Sequence, residues 1–269
     1  MIVFEAVSFS YRDDGPPAVS GVDVSISEGE RVALVGPNGS GKSTIALLSN
    51  GILLPSQGRV LVDGHDTADE SALDVVRATV GLVLQNPDNQ IVGATVEEDV
   101  AFGPENLALP SEEIRRRVAA AIEAVGLQGL ERREPHTLSE GQKQRLAIAG
   151  ALAMQPSYLV MDEPTAMLDP AGRESVLAAM ERFHRQRRTI VHITHDASEI
   201  ALCDRVIGLR EGKVVYDEDA ESLLKDAETM QTLDVQPSPA LEVARMLAAG
   251  GVDVPLEADA SRLVDALWV

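Results

Sequence analysis

The sequence predicts an α/β protein whose core is a largely parallel sheet, and three observations carry that expectation. Short uninterrupted apolar runs recur along the chain, RVALVG at 31–36, then Val80–Leu84, Tyr158–Met161 and Thr189–Thr194, each the length of a strand buried on both faces. Helical patterns fill the intervals, and strands alternating with helices imply a mostly parallel sheet. The middle, about 87–156, breaks that rhythm and reads as helix alone, so a helical subdomain is inserted in the sheet-based core.

The elements follow in order. The first thirty residues alternate apolar and polar positions (Ile2, Phe4, Ala6, later Val22, Val24, Ile26) around Asp13-Asp14-Gly15-Pro16-Pro17. That pattern predicts antiparallel strands joined by a turn, an N-terminal β subdomain. RVALVG feeds a glycine-rich loop and a helix starting near Lys42. In the middle, Ser111-Glu112-Glu113 opens an arginine-rich helix running to about Val125, with Gly126 as its stop. A second helix begins at Ser139 and runs through Ala153, ended by Pro156. From Asp217 onward twelve Asp/Glu face three Lys/Arg, a net of −9. Two short amphipathic pieces lie in this tail, Ala240–Ala248 and Ala260–Trp268, separated by Gly250-Gly251 and Pro255. Leu241, Met246, Leu247, Leu263, Val264, Leu267 and Trp268 give it an apolar face and hence the expectation of order, disorder being the alternative. The chain thus divides into a main domain, 1–230, and a C-terminal extension, 231–269.

Composition narrows the function classes. The 269 residues suffice for one large domain with a small appendage. No stretch approaches the roughly 18 apolar residues of a membrane span, and the opening MIVFEAVSFSYRDDG lacks the basic-then-apolar pattern of a secretory signal. The expected location is the cytosol or the cytosolic face of a membrane. A formal charge of −20 argues against a nucleic-acid backbone and against adsorption to anionic lipid, so at a membrane another protein would hold this one. The single cysteine, Cys203, excludes an intramolecular disulfide and reads as a small apolar filler.

GPNGSGKST, Gly36, Pro37, Asn38, Gly39, Ser40, Gly41, Lys42, Ser43 and Thr44, has the P-loop spacing, with a buried strand before it and a helix after. Glycines let the backbone wrap so that successive N–H groups face phosphate oxygens, and the helix N-terminus adds partial positive charge. Lys42, one of only four lysines, is expected at the β- and γ-phosphates, and the Ser43 hydroxyl at Mg²⁺. YLVMDEP, Tyr158 to Pro164, is a buried strand ending in two carboxylates. Asp162 is placed to hold Mg²⁺ through its water shell and Glu163 to polarise the attacking water. Together these elements specify a P-loop nucleoside triphosphatase and no more.

LSEGQKQRLAIAGAL, Leu138 to Leu152, just before the Asp162-Glu163 strand, resembles the signature sequence of the ABC ATPases. Its logic is a helix start: Ser139 caps, Gly141 permits close approach, and exposed N–H groups beside Gln142 bind an anion. The resemblance implies a RecA-like P-loop core and an anion that is the γ-phosphate of ATP held by a second cassette. It further implies that Tyr11 stacks on adenine, that Gln85 senses Mg²⁺ and nucleophile, and that Ala166-Met167-Leu168-Asp169 contacts the partner cassette. His195, in ITHD, matches the histidine that holds the γ-phosphate; His65, His136, His184 and His192 carry no motif and read as surface or packing residues.

A narrower resemblance lies in QNPDNQIVGATVEEDVAFGPENL, Gln85 to Leu107, and in the tail, where an apolar helix, GVDVP and a second helix ending in DAL follow one another. Both resemble the ATPases of energy-coupling factor (ECF) transporters for vitamins and metal ions; cobalt and nickel importers use closely similar ATPases. The implied partners are a second ABC ATPase (a paralogue or itself), a transmembrane coupling subunit docked near Gln85 and the helical subdomain, and a substrate-binding membrane subunit, with no nucleic acid. The implied function is ATP-driven import with ATP and Mg²⁺. The tail would be the cassette-to-cassette contact. The alternatives are another importer class or a soluble ABC protein acting on ribosomes or DNA, against which stand the single cassette and the acidic charge. One departure stands out: the usual LSGGQ reads LSEGQ, and Glu140 either faces the nucleotide and repels it or points to solvent.

Overall fold

The structure is a computed structural model and describes residues 1–12, 15–252, 254–255, 257–258 and 260–268. Asp13-Asp14 of the expected first turn and Asp253 of GVDVP lie outside the described residues. β1 (Ile2–Phe9) and β2 (Val19–Ile26) pair antiparallel. β3 (Arg31–Val35) is buried at all five positions and runs through the glycine-rich loop into α1 (Lys42–Ser49). β4 (Gln57–Val62) and β5 (His65–Asp66) then complete a four-stranded antiparallel sheet ordered β2-β1-β4-β5. One detail departs from the alternation read in the sequence. Ala6, expected on the apolar face, is exposed at φ 47 beside a break in register, and the inward role passes to Val7. A bulge of this kind shifts which side chains face the core, and no residue type announces it.

After α2 (Leu73–Thr79) and β6 (Val80–Val83) the chain enters the helical insertion, α3 (Val96–Asn106), α4 (Ser111–Ala124) and α5 (Glu140–Ala153). Val100, Ile122, Leu146 and Ile148 form its interior, continuous with Leu159 and Met161 of β7 (Tyr158–Asp162). There follow α6 (Pro170–His184), β8 (Thr189–Ile193), α7 (Ala197–Ile200), β9 (Arg205–Arg210) and β10 (Lys213–Asp219). The second sheet is ordered β10-β9-β3-β8-β7-β6, parallel throughout except for β10.

Alternate residues of the central strands face opposite cores, as strand geometry requires. Val32, Leu34, Val160, Val191 and Ile207 pack toward the antiparallel sheet and α1. Ala33, Val35 and Val206 pack toward α7, α8 (Ala220–Lys225), α9 (Ala227–Thr232) and Leu241 of α10 (Pro239–Ala249). The tail is therefore helical, closing with α11 (Ala260–Leu267). Its apolar residues divide: Leu241 and Leu263 are buried, whereas Met246, Val264, Leu267 and Trp268 are exposed. Cys203 is buried among α7, β9 and α8, in keeping with a packing role.

Candidate functional site

The C-terminal ends of β3, β6, β7 and β8 lie side by side in a parallel sheet, and the loops leaving them converge, the usual place for a site in an open α/β fold. The loop after β3 is the glycine-rich turn. At Gly41, φ is +108 and an added Cβ would lie 2.5 Å from the Ala18 carbonyl oxygen, so only glycine fits there. Lys42 is buried, and its Nζ donates to the carbonyls of Gly36 (2.7 Å) and Pro37 (3.0 Å), folding the loop around itself. Burial lowers the Lys42 pKa; the Glu163, Asp162 and Asp234 carboxylates act against that shift.

Asp162 ends β7 almost fully buried. Burial raises its pKa, and a hydrogen bond from the Ser43 hydroxyl opposes the rise. Glu163 follows in the left-handed region at φ 48, with its N–H bonded to the Ile193 carbonyl at 3.1 Å. That backbone turn sends its carboxylate toward the loops after β6 and β8. Gln85 Nε2 donates to Glu163 Oε2 at 3.0 Å, and His195 Nδ1 lies 3.9 Å from Oε1. Gln85 and His195, from the loops after β6 and β8, thus flank the carboxylate of Glu163, from the loop after β7.

Tyr11 borders the same cleft. Its hydroxyl lies 3.2 Å from Thr44 Oγ1, and its ring stands edge-on to Phe9 at 5.0 Å with much of its surface exposed. The cleft, about 280 Å³, is lined by Tyr11, Asn38–Thr44 without Ser40, Gln85, Asp162 and Glu163. Oxygen donors dominate its floor: the Ser43 hydroxyl, the Asp162 carboxylate and the Gln85 amide. Such a hard-donor set suits Mg²⁺ shared with phosphate oxygens, whereas among the described residues there is no cluster of three His, Cys, Asp or Glu able to cage a metal alone.

Ser139, Gly141 and Gln142 are not among the residues lining this cleft. They open α5 instead, with Gln142 N–H bonded to Ser139 Oγ (3.3 Å) and Ser139 N–H to Gln142 Oε1 (3.0 Å), a reciprocal capping box. A Cβ on Gly141 would stand 3.2 Å from the Met167 carbonyl, so this helix start packs closely on the Ala166–Asp169 loop. Glu140 is exposed and its carboxylate pairs with Lys143 at 3.0 Å; Lys143 also reaches Asp88, at 2.9 Å.

Glu199, Thr165, Thr194 and Gln236, all close to His195, were not singled out from the sequence. Buried Glu199, Thr194 and His192 and the half-buried Thr165 form a cluster beside the His195 loop. Asp196 and Glu199 sit three apart, the spacing of an ordinary helix cap, which hides the inward turn of Glu199. Beyond α9, Gln236 brackets the same loop: its N–H donates to the His195 carbonyl (2.7 Å) and its carbonyl accepts from Ala197 N–H (3.0 Å).

The family model for ABC transporters matches residues 19–166. Over 262 residues the chain is 52% identical to an energy-coupling factor transporter ATP-binding protein, EcfA1, of Symbiobacterium thermophilum, covering 94% of this chain and 91% of the relative. Among solved structures it is similar to cbiO1 of Clostridium perfringens, part of the ABC transporter complex cbiONQ, at 36% identity and TM-score 0.75, covering 93% of this chain and 98% of that one. It is also similar to a dimeric ATP-binding cassette in a post-hydrolysis state bound to ADP and phosphate, at 31% identity and TM-score 0.76, covering 82% and 99%.

Proposed function

The chain belongs to the ABC transporter family of ATP-binding subunits, and from that premise we propose that it is the ATP-hydrolysing subunit of an ECF-type importer. The observation that carries the mechanism is the division of the site. One chain supplies the P-loop and the Gln85, Glu163 and His195 constellation, while Ser139, Gly141 and Gln142 open a helix outside that cleft. A second cassette, paralogous or identical, would bring its own α5 N-terminus to the γ-phosphate, so ATP is held between two chains.

In this reading the P-loop N–H groups and Lys42 bind the β- and γ-phosphates, and Tyr11 stacks on adenine. Ser43, Gln85 and, through its water shell, Asp162 would hold Mg²⁺, which when bound would offset charge on the phosphate oxygens. Glu163 accepts a proton from the attacking water, a contribution typically of about 10²–10⁴ in rate. Gln85 orients that carboxylate, and His195 donates to the γ-phosphate. Water attacks the terminal phosphorus, the bond to the β-phosphate oxygen breaks, and ADP and phosphate leave as the cassettes part.

Among the described residues no helix is long and apolar enough to cross a membrane, and the charge of −20 disfavours lipid contact, so attachment falls to membrane subunits. A groove between the sheet and the helical insertion, lined in part by exposed Ile52, Val92 and Phe102, supports docking of the transmembrane subunit there, on the cytoplasmic side. A separate membrane subunit binds the vitamin or metal ion.

Glu163→Gln tests the shared-site mechanism. The expected result is ATP binding retained, turnover lost, and a dimer by size-exclusion chromatography in ATP but not ADP. Unchanged turnover would sink the general-base role, and a monomer at saturating ATP would sink the shared site.

A further inference from the structure

Glu199 is 1% exposed, and a carboxylate in that setting needs partners, since an unpaired buried charge costs several kcal/mol. It has four, on two oxygens. Oε1 accepts from Thr165 Oγ1 at 2.7 Å and lies 2.9 Å from Arg173 Nη2. Oε2 accepts from Thr194 Oγ1 at 2.7 Å and lies 3.1 Å from His192 Nε2. Burial pushes its pKa up, but the close approach of the His192 ring and the bonds from Thr194 and Thr165 prevail and hold it at about 2.

These partners are not one patch of chain. Thr165 lies two residues beyond Glu163, at the start of the loop Thr165–Asp169. Arg173 lies in the first turns of α6, which that loop enters. Thr194 directly precedes His195, and its Oγ1 also receives the N–H of Asp196 at 3.2 Å, so the bond spans the histidine. Asp196 is in turn paired with Arg173. The His195 side chain is about half exposed and faces Glu163, so Glu199 touches its backbone surroundings and not its ring.

We propose that Glu199 is a positioning residue for ATP hydrolysis, fastening the Thr165–Asp169 loop and the His195 turn into one rigid piece. The inference rests on the hydrolytic reading above and adds a route within it. A contact made on the loop by the second cassette is transmitted through Thr165, Glu199 and Thr194 to the backbone that aims His195 at the γ-phosphate. Most of the ATP contacts in that reading, those of the P-loop, Lys42 and Tyr11, lie outside this route, so the two readouts separate.

The test is the kinetics of Glu199→Gln beside the wild type, each scaled to the folded fraction. Glutamine keeps the shape but carries one acceptor oxygen for two threonine hydroxyls and loses the charge facing Arg173 and His192. The expected result is a kcat at least tenfold lower with the ATP Kd within twofold. A kcat within twofold of wild type, or a parallel loss of kcat and affinity, would overturn the proposal. Should Glu199→Gln not fold, Thr194→Val against Thr194→Ser decides. Loss of kcat in the valine variant with recovery in the serine variant supports the route, and equal rates in both overturn it. The wild-type rate in the same assay reports on the hydrolytic reading by itself, so failure of one is not mistaken for failure of the other.

Discussion

At Glu163 a non-glycine residue holds a left-handed backbone, a conformation that costs on the order of 1–3 kcal/mol and persists only where its surroundings impose it. Here the bond from its N–H to Ile193 imposes it, and the benefit is the aim of the carboxylate between Gln85 and His195. Lys42 is held comparably by two carbonyls. Lys42→Ala is expected to weaken ATP binding about 10- to 100-fold, the loss of a charge-assisted bond of roughly 1.5–3 kcal/mol, measured by titration with a fluorescent ATP analogue. Normal affinity would contradict the cradle. Glu199 makes a separate prediction about stability. Its folded pKa, about 2, is depressed below the ordinary 4.5, so its contribution is present above pH 4.5 and lost as pH falls from 4.5 toward 2. Urea unfolding across that window should show a slope that Glu199→Gln reduces, by up to about 3 kcal/mol in all. Equal slopes in both proteins would contradict the ionised, buried carboxylate. Lys42, Asp162 and Glu163 were legible in the sequence because their chemistry needs fixed spacing beside a strand. Glu199 was not, because its partners are distant in sequence and its local spacing imitates a helix cap.

Among the elements, the start of α5 bears on the question that Glu140 raised, because the carboxylate is engaged within its own helix. Its carboxylate lies on the first turn of a helix, where negative charge is favourable, and pairs with Lys143. Lys143 links it onward to Asp88, three residues beyond Gln85. Glu140→Gly is therefore expected to change the ATPase rate by less than about threefold, exposed pairs of this kind being worth roughly 0.2–1 kcal/mol. A large gain would show that Glu140 repels the nucleotide. The tail makes a further claim at this scale. Met246 and Trp268 are 73% and 85% exposed, so replacing both by Glu should leave the fold and ATP binding intact. Cassette pairing, followed by analytical ultracentrifugation, should weaken; unchanged pairing would give the tail another role. These substitutions are cleaner than cutting the chain after Asp234, because Gln236 brackets the backbone of His195 and would be removed too. Strands β3, β6, β7 and β8 and the α4 and α5 helices were legible from apolar runs and caps, within a residue or so, whereas β4, β5, β9 and β10 were not singled out. The bulge at Ala6 was not, since register is settled by pairing with β2 and β4 and not by composition.

Over the whole molecule, the sheet brings the P-loop and the ends of β6, β7 and β8 together, and leaves the α5 start outside the cleft they form. Residue chemistry alone did not carry that separation, since both segments read as phosphate-binding; it entered as what the resemblance of Leu138–Leu152 to the ABC signature implied, an anion held by a second cassette. In the proposed function that separation calls for a second cassette, and the charge of −20 with the exposed groove favours attachment through a membrane partner. The most direct test is affinity purification of the tagged full-length protein from detergent-solubilised membranes of its native host, with mass spectrometry of what accompanies it. The expected companions are a second ABC ATPase cassette, a multi-span coupling subunit and small multi-span substrate-binding proteins. Recovery of ribosomal or DNA-repair proteins with no membrane partner would leave the family membership standing and contradict the role in import.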